Sequence, residues 1–216
     1  MKIIHISDTH RQLSKIEIPP CDVLIHTGDD DVNSLIDIIR LSNWFSKQPA
    51  KLRLFIPGNH DWLFEIDYNL AKSNLTEATL LLDSSIEYKG VKFYGSPWQP
   101  EFNSWAFNLP RGKALKAKWD LIPNDTDFLL THSPPYGILD KVLYTNEHVG
   151  CEELIDAVER IKPLYHLFGH IHEGYGNDKL FWYENMKNTG KKTIFLNSAQ
   201  VNEDYKLVNK PQVIEI

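Results

Sequence analysis

The chain contains little cysteine and no long apolar run. Its two cysteines, Cys21 and Cys151, lack the CxxC spacing of a zinc or redox site, so we expect both to be reduced, buried thiols. No stretch approaches the ~18 apolar residues that a membrane span requires, and no secretory signal is seen before Ile3. We therefore expect no membrane association and a cytoplasmic location.

The chain also lacks an excess of positive charge. Its formal net charge is -6 at pH 7, which argues against a protein whose whole surface attracts extended nucleic acid. Affinity for phosphate would have to come from a local site, and metal cations are a natural source of it. With 42% hydrophobic and 24% charged residues, the 216 residues are typical of a globular protein, and their number favours a single domain over residues 1–216.

Five short apolar runs each end in a polar cluster. The runs lie at 3–6, 23–25, 52–56, 128–130 and 164–168. Apolar runs of this length, bounded by turn residues, are typical of buried strands. The sequence thus predicts five strands, each of which delivers polar side chains at its end.

Helical patterns lie between these strands. Ser34 is suited to cap a helix through about Phe45, and a second pattern covers about 151–161. Lys89 and Gly90 join two short apolar segments in the manner of a hairpin turn. Strands that alternate with helices predict an α/β domain with ligand residues at a sheet edge, and the hairpin adds antiparallel pairing, so we expect two sheets or one mixed sheet.

The first two polar clusters supply carboxylates. Asp8 and His10 are two residues apart, and in an extended chain this spacing turns both side chains to one side. Gly28 lets the backbone approach a ligand, and Asp29 has two oxygens that can bridge two cations. Taken alone, each of these patterns is more often an ordinary turn at a strand end.

The segment Gly58-Asn59-His60-Asp61 is the most specific tetrapeptide. Asn59 offers a neutral oxygen ligand, and His60 is suited to protonate a leaving alkoxide. Asp61 is suited to orient His60 and to favour its protonated form. The alternative is a turn with a capping asparagine and a surface histidine.

Three histidines complete the set. His132 follows the fourth strand, while His170 and His172 flank Ile171 at the end of the fifth and can reach adjacent metals with Ile171 facing the core. A loop histidine without a ligand is the alternative for His132. Five independent turns would each have to follow a buried strand and together supply seven nitrogen and oxygen ligands, so we interpret the clusters as one metal site.

In this order the clusters resemble the calcineurin-like metallophosphoesterase superfamily over residues 3–172. Segments 95–100, 105–112 and 169–176 resemble a narrower branch, the metallophosphoesterase-domain-containing proteins. The superfamily implies an α/β (α+β) fold in which two facing mixed β-sheets are flanked by α-helices, a four-layer sandwich. It also implies a dinuclear metal centre.

The resemblance further implies that two divalent or trivalent ions share one carboxylate. The first ion would be held by Asp8, His10, Asp29 and His172, and the second by Asp29, Asn59, His132 and His170. His60 and Asp61 would be the catalytic residues. Some members of the branch lose the ligand at the position of His170, which this chain retains. Mixed oxygen and nitrogen donors without thiolate suit Mn, Fe, Zn, Ni or Co, and we favour Mn.

The expected function is hydrolysis of a small phosphoester substrate, which can be a nucleotide. A hydroxide that bridges the two metals would attack phosphorus, and His60 would protonate the leaving oxygen. The branch resemblance favours a phosphodiesterase acting on small diesters such as cyclic nucleotides. A phosphomonoesterase or protein phosphatase with the same centre is one alternative, and a catalytically weak nucleotide-binding or scaffold protein is another. The oligomeric state is left open.

Aromatic residues and histidines outside these clusters are expected to be structural. The aromatic residues that could stack on a base, but are more often packing residues, are Trp98, Trp105, Trp119, Tyr136 and Tyr175. The remaining histidines are His5, His26, His148 and His166.

Overall fold

A computed structural model describes residues 1–178 and 192–216, which include thirteen strands. In chain order they are β1 (Lys2–Ile6), β2 (Cys21–His26), β3 (Ala50–Phe55), β4 (Thr79–Leu80), β5 (Ser84–Tyr88), β6 (Val91–Ser96), β7 (Gln99–Pro100), β8 (Asn108–Leu109), β9 (Phe128–Thr131), β10 (Tyr165–Phe168), β11 (Gly176–Asp178), β12 (Ile194–Asn197) and β13 (Gln212–Glu215).

The strands form two main sheets. The first has the order β13-β1-β2-β3-β4, with parallel pairing from β1 to β4 and antiparallel pairing of β13 with β1. The second has the order β11-β12-β10-β9-β6-β5, and its two outer pairs are antiparallel. A small parallel pair joins β7 to β8. Both main sheets are therefore mixed, and the predicted hairpin at Lys89 and Gly90 is confirmed as the turn between β5 and β6.

Within the described part of the chain, five α-helices cover the outer faces of the sheets. They are α1 (Leu35–Ser46), α2 (Leu63–Ile66), α3 (Tyr68–Asn74), α4 (Lys113–Trp119) and α5 (Glu152–Ile161). The predicted cap of α1 is confirmed, since Ser34 Oγ accepts a hydrogen bond from the Asp37 amide at 3.3 Å and donates one to the Asp37 carboxylate at 2.6 Å. Among the described residues, no helix has the length and apolar character that a membrane crossing needs.

The described residues form three apolar cores, which separate four layers. The inner core joins residues of both sheets, such as Val23 and Leu54 from the first and Phe128 and Leu167 from the second. A second core packs α1, α2 and α3 against the first sheet, and a third packs α4 and α5 against the second. The predicted sandwich of two facing mixed sheets between helical layers is confirmed.

The carboxyl ends of the central strands meet at one edge of this sandwich. The His132 ring, after β9 of the second sheet, donates to the carbonyl of Thr27, after β2 of the first, at 2.8 Å. The amide of His170, after β10, donates to the carboxylate of Asp8, after β1, at 2.9 Å. Polar residues that are far apart in the chain thus come together at the edge where an α/β sheet places its ligand sites.

Three buried histidines lie just behind this edge. His5 contacts Ser198 Oγ at 2.6 Å and Thr27 Oγ1 at 2.9 Å. His26 contacts a threonine hydroxyl at 2.9 Å, and so does His166. Burial lowers the pKa of each of the three rings to about 3. They are therefore neutral, hydrogen-bonded parts of the interior, as expected.

Acid is predicted to destabilise the metal-free protein through these histidines. An unfolded histidine has a pKa near 6.5, so the unfolded state binds more protons between pH 6.5 and 3, and stability falls as the pH falls through this range. His166→Phe removes one such group. It should lower the free energy of unfolding at pH 7.5 but flatten its decline below pH 6.5 by up to ~1.4 kcal/mol per pH unit. Urea unfolding of chelator-treated protein measures this, and an unchanged slope would contradict it.

Candidate metal centre

Sharp turns place the predicted ligands. Four of them have left-handed backbone conformations, with φ of 51° at Asp8, 40° at His10, 63° at Asp29 and 67° at His170. Such conformations cost on the order of 1 to 3 kcal/mol for residues other than glycine and persist only where the surroundings hold them. Clustered strain of this kind is typical of a functional site.

The carboxylate of Asp61 holds two of these turns together. Its Oδ2 accepts from the amides of Asp29 at 2.7 Å and Gly58 at 2.8 Å, and its Oδ1 accepts from those of Asp30 at 3.1 Å and Val32 at 3.0 Å. Burial and the charge of Asp29 raise the pKa of Asp61 to about 7, against these amide donors. The turn after β2 is thereby fastened to the turn after β3.

This geometry contradicts the expectation that Asp61 orients His60. Backbone amides occupy both oxygens of the Asp61 carboxylate, and the carboxylate that faces His60 is Asp31, whose Oδ1 lies 3.4 Å from His60 Nδ1. Asp31 is not one of the site residues predicted from the sequence. Trp105 covers the His60 ring at 4.1 Å between centroids, so it lies at the site and not in the core.

A first group of donors consists of Asp8, His10 and His172, whose ligand atoms all lie within 4.8 Å of one another. His172 Nδ1 donates to the Asn202 carbonyl at 3.1 Å, which leaves Nε2 facing Asp8 Oδ1 at 3.6 Å. His10 Nδ1 is 3.1 Å from Asp31, and its buried Nε2 has no hydrogen-bond partner within the described residues. An unsatisfied buried nitrogen of this kind fits a metal ligand.

A second group consists of Asp29, His132 and His170, again within 4.8 Å of one another. Because His132 Nδ1 donates to a backbone carbonyl, its Nε2 faces the site, 3.3 Å from Asp29 Oδ2 and 2.9 Å from Asn59 Oδ1. A backbone carbonyl that fixes the ring in this way is typical of metal-binding histidines. All seven predicted ligands thus lie in these two groups or in contact with them.

Charges of opposite sign dominate the site. Burial would raise the pKa of Asp8 and Asp29, but nearby histidines outweigh it, holding that of Asp8 well below its usual range and lowering that of Asp29 to about 2. Conversely, burial would lower the pKa of His132, but the charge of Asp29 raises it to about 9. Burial and His132 lower the pKa of His170 to about 3. In the metal-free protein, protons on histidine therefore balance the negative charge of the carboxylates. Bound cations could balance the same charge.

Two glycines allow the close approach of the carboxylates. A Cβ atom on Gly58 would lie 2.2 Å from Asp29 Oδ1, and one on Gly169 would lie 2.0 Å from Asp8 Oδ2. Both distances are far below van der Waals contact. The absence of side chains at these positions, the unsatisfied His10 nitrogen and the mixed oxygen and nitrogen donors all fit a pair of bound cations.

Sequence reasoning missed the contribution of the C-terminal loop. The ring of Tyr205 packs edge-on against His10 at 4.6 Å and His172 at 5.4 Å, and Asn202 supplies the carbonyl that fixes His172. Neither residue belongs to a short pattern with the ligands. They reach the site because the chain returns to it between β12 and β13.

The fold and these donors define a phosphoesterase of the metallophosphoesterase type. The calcineurin-like phosphoesterase family matches residues 1–174, and the chain belongs to this family. Membership implies a metal-dependent phosphoester hydrolase that uses divalent ions.

Relatives over the whole chain support the narrower branch. Metallophosphoesterase domain-containing protein 1 of Homo sapiens is 36% identical over 240 residues, which cover 100% of this chain and 71% of that protein. A UPF0046 protein of Caenorhabditis elegans is 35% identical over 231 residues, covering 100% of this chain and 75% of the relative. The resemblance to the metallophosphoesterase-domain-containing proteins is thus confirmed.

A solved structure shows the same fold. Phosphopantetheinyl hydrolase from Mycobacterium tuberculosis superposes with a TM-score of 0.57 over 91% of this chain and 88% of that chain. Its sequence is 17% identical, so this likeness concerns the fold alone.

Gly58→Ala is predicted to empty the site without unfolding the protein. The added Cβ must displace Asp29 and the His132 ring, whose Cε1 would be 2.7 Å away. We expect metal content, measured by elemental analysis after dialysis, to fall by more than half while the circular dichroism spectrum is retained. Retention of the full metal content would show that Gly58 does not limit the approach of Asp29.

Metal binding is predicted to release protons. His132 has a pKa of about 9 in the metal-free protein, and a histidine must lose its second proton to become a ligand. Affinity should therefore rise with pH up to about 9. Calorimetric titration of Mn²⁺ at pH 7 in buffers of different ionisation enthalpy should give a release of roughly one proton or more per chain. No release would contradict the protonated state of His132.

Proposed function

We propose that the protein is a phosphodiesterase that hydrolyses small diesters, such as cyclic nucleotides, with two divalent metal ions. The observation that carries this proposal is the position of His60. Its ring lies 5.0 Å from that of His10, between centroids, and its Nδ1 faces Asp31. A proton donor beside a metal-binding group suits the departure of an alkoxide from phosphorus, and the resemblance to the narrower branch favours a diester as the substrate.

The proposed ligand division follows the two groups of donors. Asp8, His10 and His172 would hold one ion, Asn59, His132 and His170 the other, and Asp29 both. When bound, such ions increase the acidity of water and neutralise charge on the phosphoryl oxygens. Manganese is the favoured ion, since four imidazoles disfavour a Mg²⁺ or Ca²⁺ cage of oxygen ligands only.

His60 is proposed to deliver its proton from Nε2. Burial lowers its pKa, but the hydrogen bond to Asp31 and the charges of Asp29, Asp31 and Asp61 outweigh burial, so the pKa is raised. These carboxylates therefore favour the protonated form of the ring. Asp31 fixes Nδ1 and Trp105 limits rotation of the ring, which leaves Nε2 for the leaving oxygen.

The location is proposed to be cytoplasmic. Cys21 and Cys151 are both free and buried, which fits a compartment in which thiols stay reduced.

Paired substrates test the proposed reaction. Chelator-treated protein should hydrolyse bis-p-nitrophenyl phosphate faster than p-nitrophenyl phosphate once Mn²⁺ is restored, with metal content assayed in parallel. A preference for the monoester would establish a phosphatase in its place. Absence of turnover with two bound ions per chain would favour a nucleotide-binding or scaffold protein.

His60→Ala is predicted to change how turnover depends on the leaving group and to leave metal content unchanged. Turnover should fall roughly 100-fold or more for a diester with an alkyl leaving group, and much less for nitrophenolate, which departs without a proton. Asp31→Asn should show the same dependence on the leaving group in weaker form, because Asp31 holds His60, and its metal content is assayed as well because Asp31 also contacts His10.

Asp61→Asn is the matched control for these variants. Its amide group would meet backbone N–H groups that now donate to a carboxylate, so it should lower the melting temperature, and because only one of the charges that favour protonated His60 is lost, it should select among leaving groups much less than His60→Ala does. Equal loss for alkyl and nitrophenyl diesters in His60→Ala would contradict the role of His60 as a proton donor.

A further inference from the structure

A pocket of about 190 Å³ lies beside the candidate metal centre. Its apolar wall consists of Pro100, Phe102, Val142, Val149 and Ile171. His170 also lines the pocket, and this residue belongs to the donor group of Asp29 and His132. A molecule held by that group would therefore lie next to the pocket.

A buried hydroxyl in the wall has no hydrogen-bond partner in the described part of the chain. Ser133 lines the pocket and is 2% exposed. Its carbonyl accepts from Thr131 Oγ1 at 2.8 Å, but its own Oγ has no hydrogen-bond partner within the described residues. A buried hydroxyl of this kind is usually bonded to an ordered water or to a polar atom of a ligand, so Ser133 is a candidate partner for a group bound in the pocket.

The charged residues of the wall do not form an anion site. Arg111 donates to the carbonyls of Gly150 at 2.8 Å and Val149 at 2.9 Å, and it forms an ion pair with Glu152. Its guanidinium is thus engaged in holding the wall. Glu101 adds a negative charge to the lining. With one positive and one negative side chain in a largely apolar lining, the pocket is suited to a neutral group.

The volume limits the size of the bound group. A cavity of about 150 Å³ is large enough for benzene, whereas pockets for drug-sized molecules are about 300 to 1,000 Å³. The pocket of 190 Å³ therefore holds one ring system with small substituents. It is too small for a peptide segment or a second nucleotide.

We propose that this pocket binds a flat, uncharged ring carried by the phosphoester, with Ser133 bonded to a polar atom at the ring edge. The inference rests on the proposed phosphodiesterase function and narrows its substrates to diesters with an aromatic or heteroaromatic group. The pocket is lined by His170 and not by His60, the proposed donor to the leaving oxygen. The ring accordingly belongs to the ester group that stays on phosphorus.

Two substrates that share the same leaving group test whether the pocket binds a ring. We compare p-nitrophenyl phenylphosphonate with p-nitrophenyl methylphosphonate, each corrected for its uncatalysed rate, in the Mn²⁺-loaded protein. Burial of the phenyl ring should raise kcat/KM roughly tenfold or more. Calorimetric titration of phenylphosphonate and methylphosphonate should show the same preference without any turnover.

Variants of the pocket wall test whether the preference for the phenyl group arises in this pocket. Val142→Trp fills the pocket, and Phe102→Ala removes a ring that is 57% exposed and so is not needed for the core. Both should reduce the preference for phenyl to about twofold or less while hydrolysis of the methylphosphonate is retained. Ile36→Ala, which truncates a side chain that is 79% exposed on α1, is the matched control and should leave the preference unchanged.

The outcomes separate this inference from the proposed function. The proposed role of the pocket would be wrong if both phosphonates were hydrolysed without a preference for phenyl, or if the preference survived Val142→Trp. Either result would leave the proposed phosphodiesterase function standing. Tighter binding of phenylphosphonate that Val142→Trp abolishes would support the pocket even if neither ester were hydrolysed, in which case the proposed function would fail alone.

Discussion

The carboxylate of Asp61 is the contact on which the rest of the site depends. It accepts four backbone hydrogen bonds from the turns after β2 and β3, and hydrogen bonds from backbone amides to a carboxylate are among the stronger ones in proteins. These turns carry Asp29 on one side and Asn59 and His60 on the other. Once they are fastened together, the amide of His60 also donates to Asp29 Oδ1 at 2.8 Å. The position of the Asp29 carboxylate is therefore set by the backbone and does not depend on a bound metal.

The second constraint is the meeting of the two sheets. Each supplies one part of every donor group: β1 and β2 carry Asp8 and Asp29, while β9 and β10 carry the histidines opposite. Buried carboxylates without partners would destabilise the fold, and in the metal-free protein the charge of Asp29 is balanced by a protonated His132. Bound cations would replace these protons and would equally neutralise the buried carboxylates. Fold stability and metal affinity are thus linked at the same side chains.

Sequence reasoning identified the parts of the structure that depend on local patterns. The five buried strands, the capped helix α1 and the hairpin between β5 and β6 all follow from periodicity and turn residues, and the seven predicted ligands follow these strands and come together. It could not assign the true partner of His60, because Asp31 and Asp61 are both carboxylates close to the site and only the path of the backbone decides which faces the ring. The packing of Tyr205 against His10 was equally hidden, since it depends on the return of the chain after β12.

The central claim is that Asp29 serves both donor groups, and metal stoichiometry in two variants tests it most directly. Asp8 belongs to one group only, so Asp8→Ala should retain about one Mn²⁺ per chain, whereas Asp29→Ala should retain almost none. Equilibrium dialysis with elemental analysis gives both numbers, and circular dichroism confirms that each variant is folded. Two ions per chain in Asp29→Ala would contradict the account.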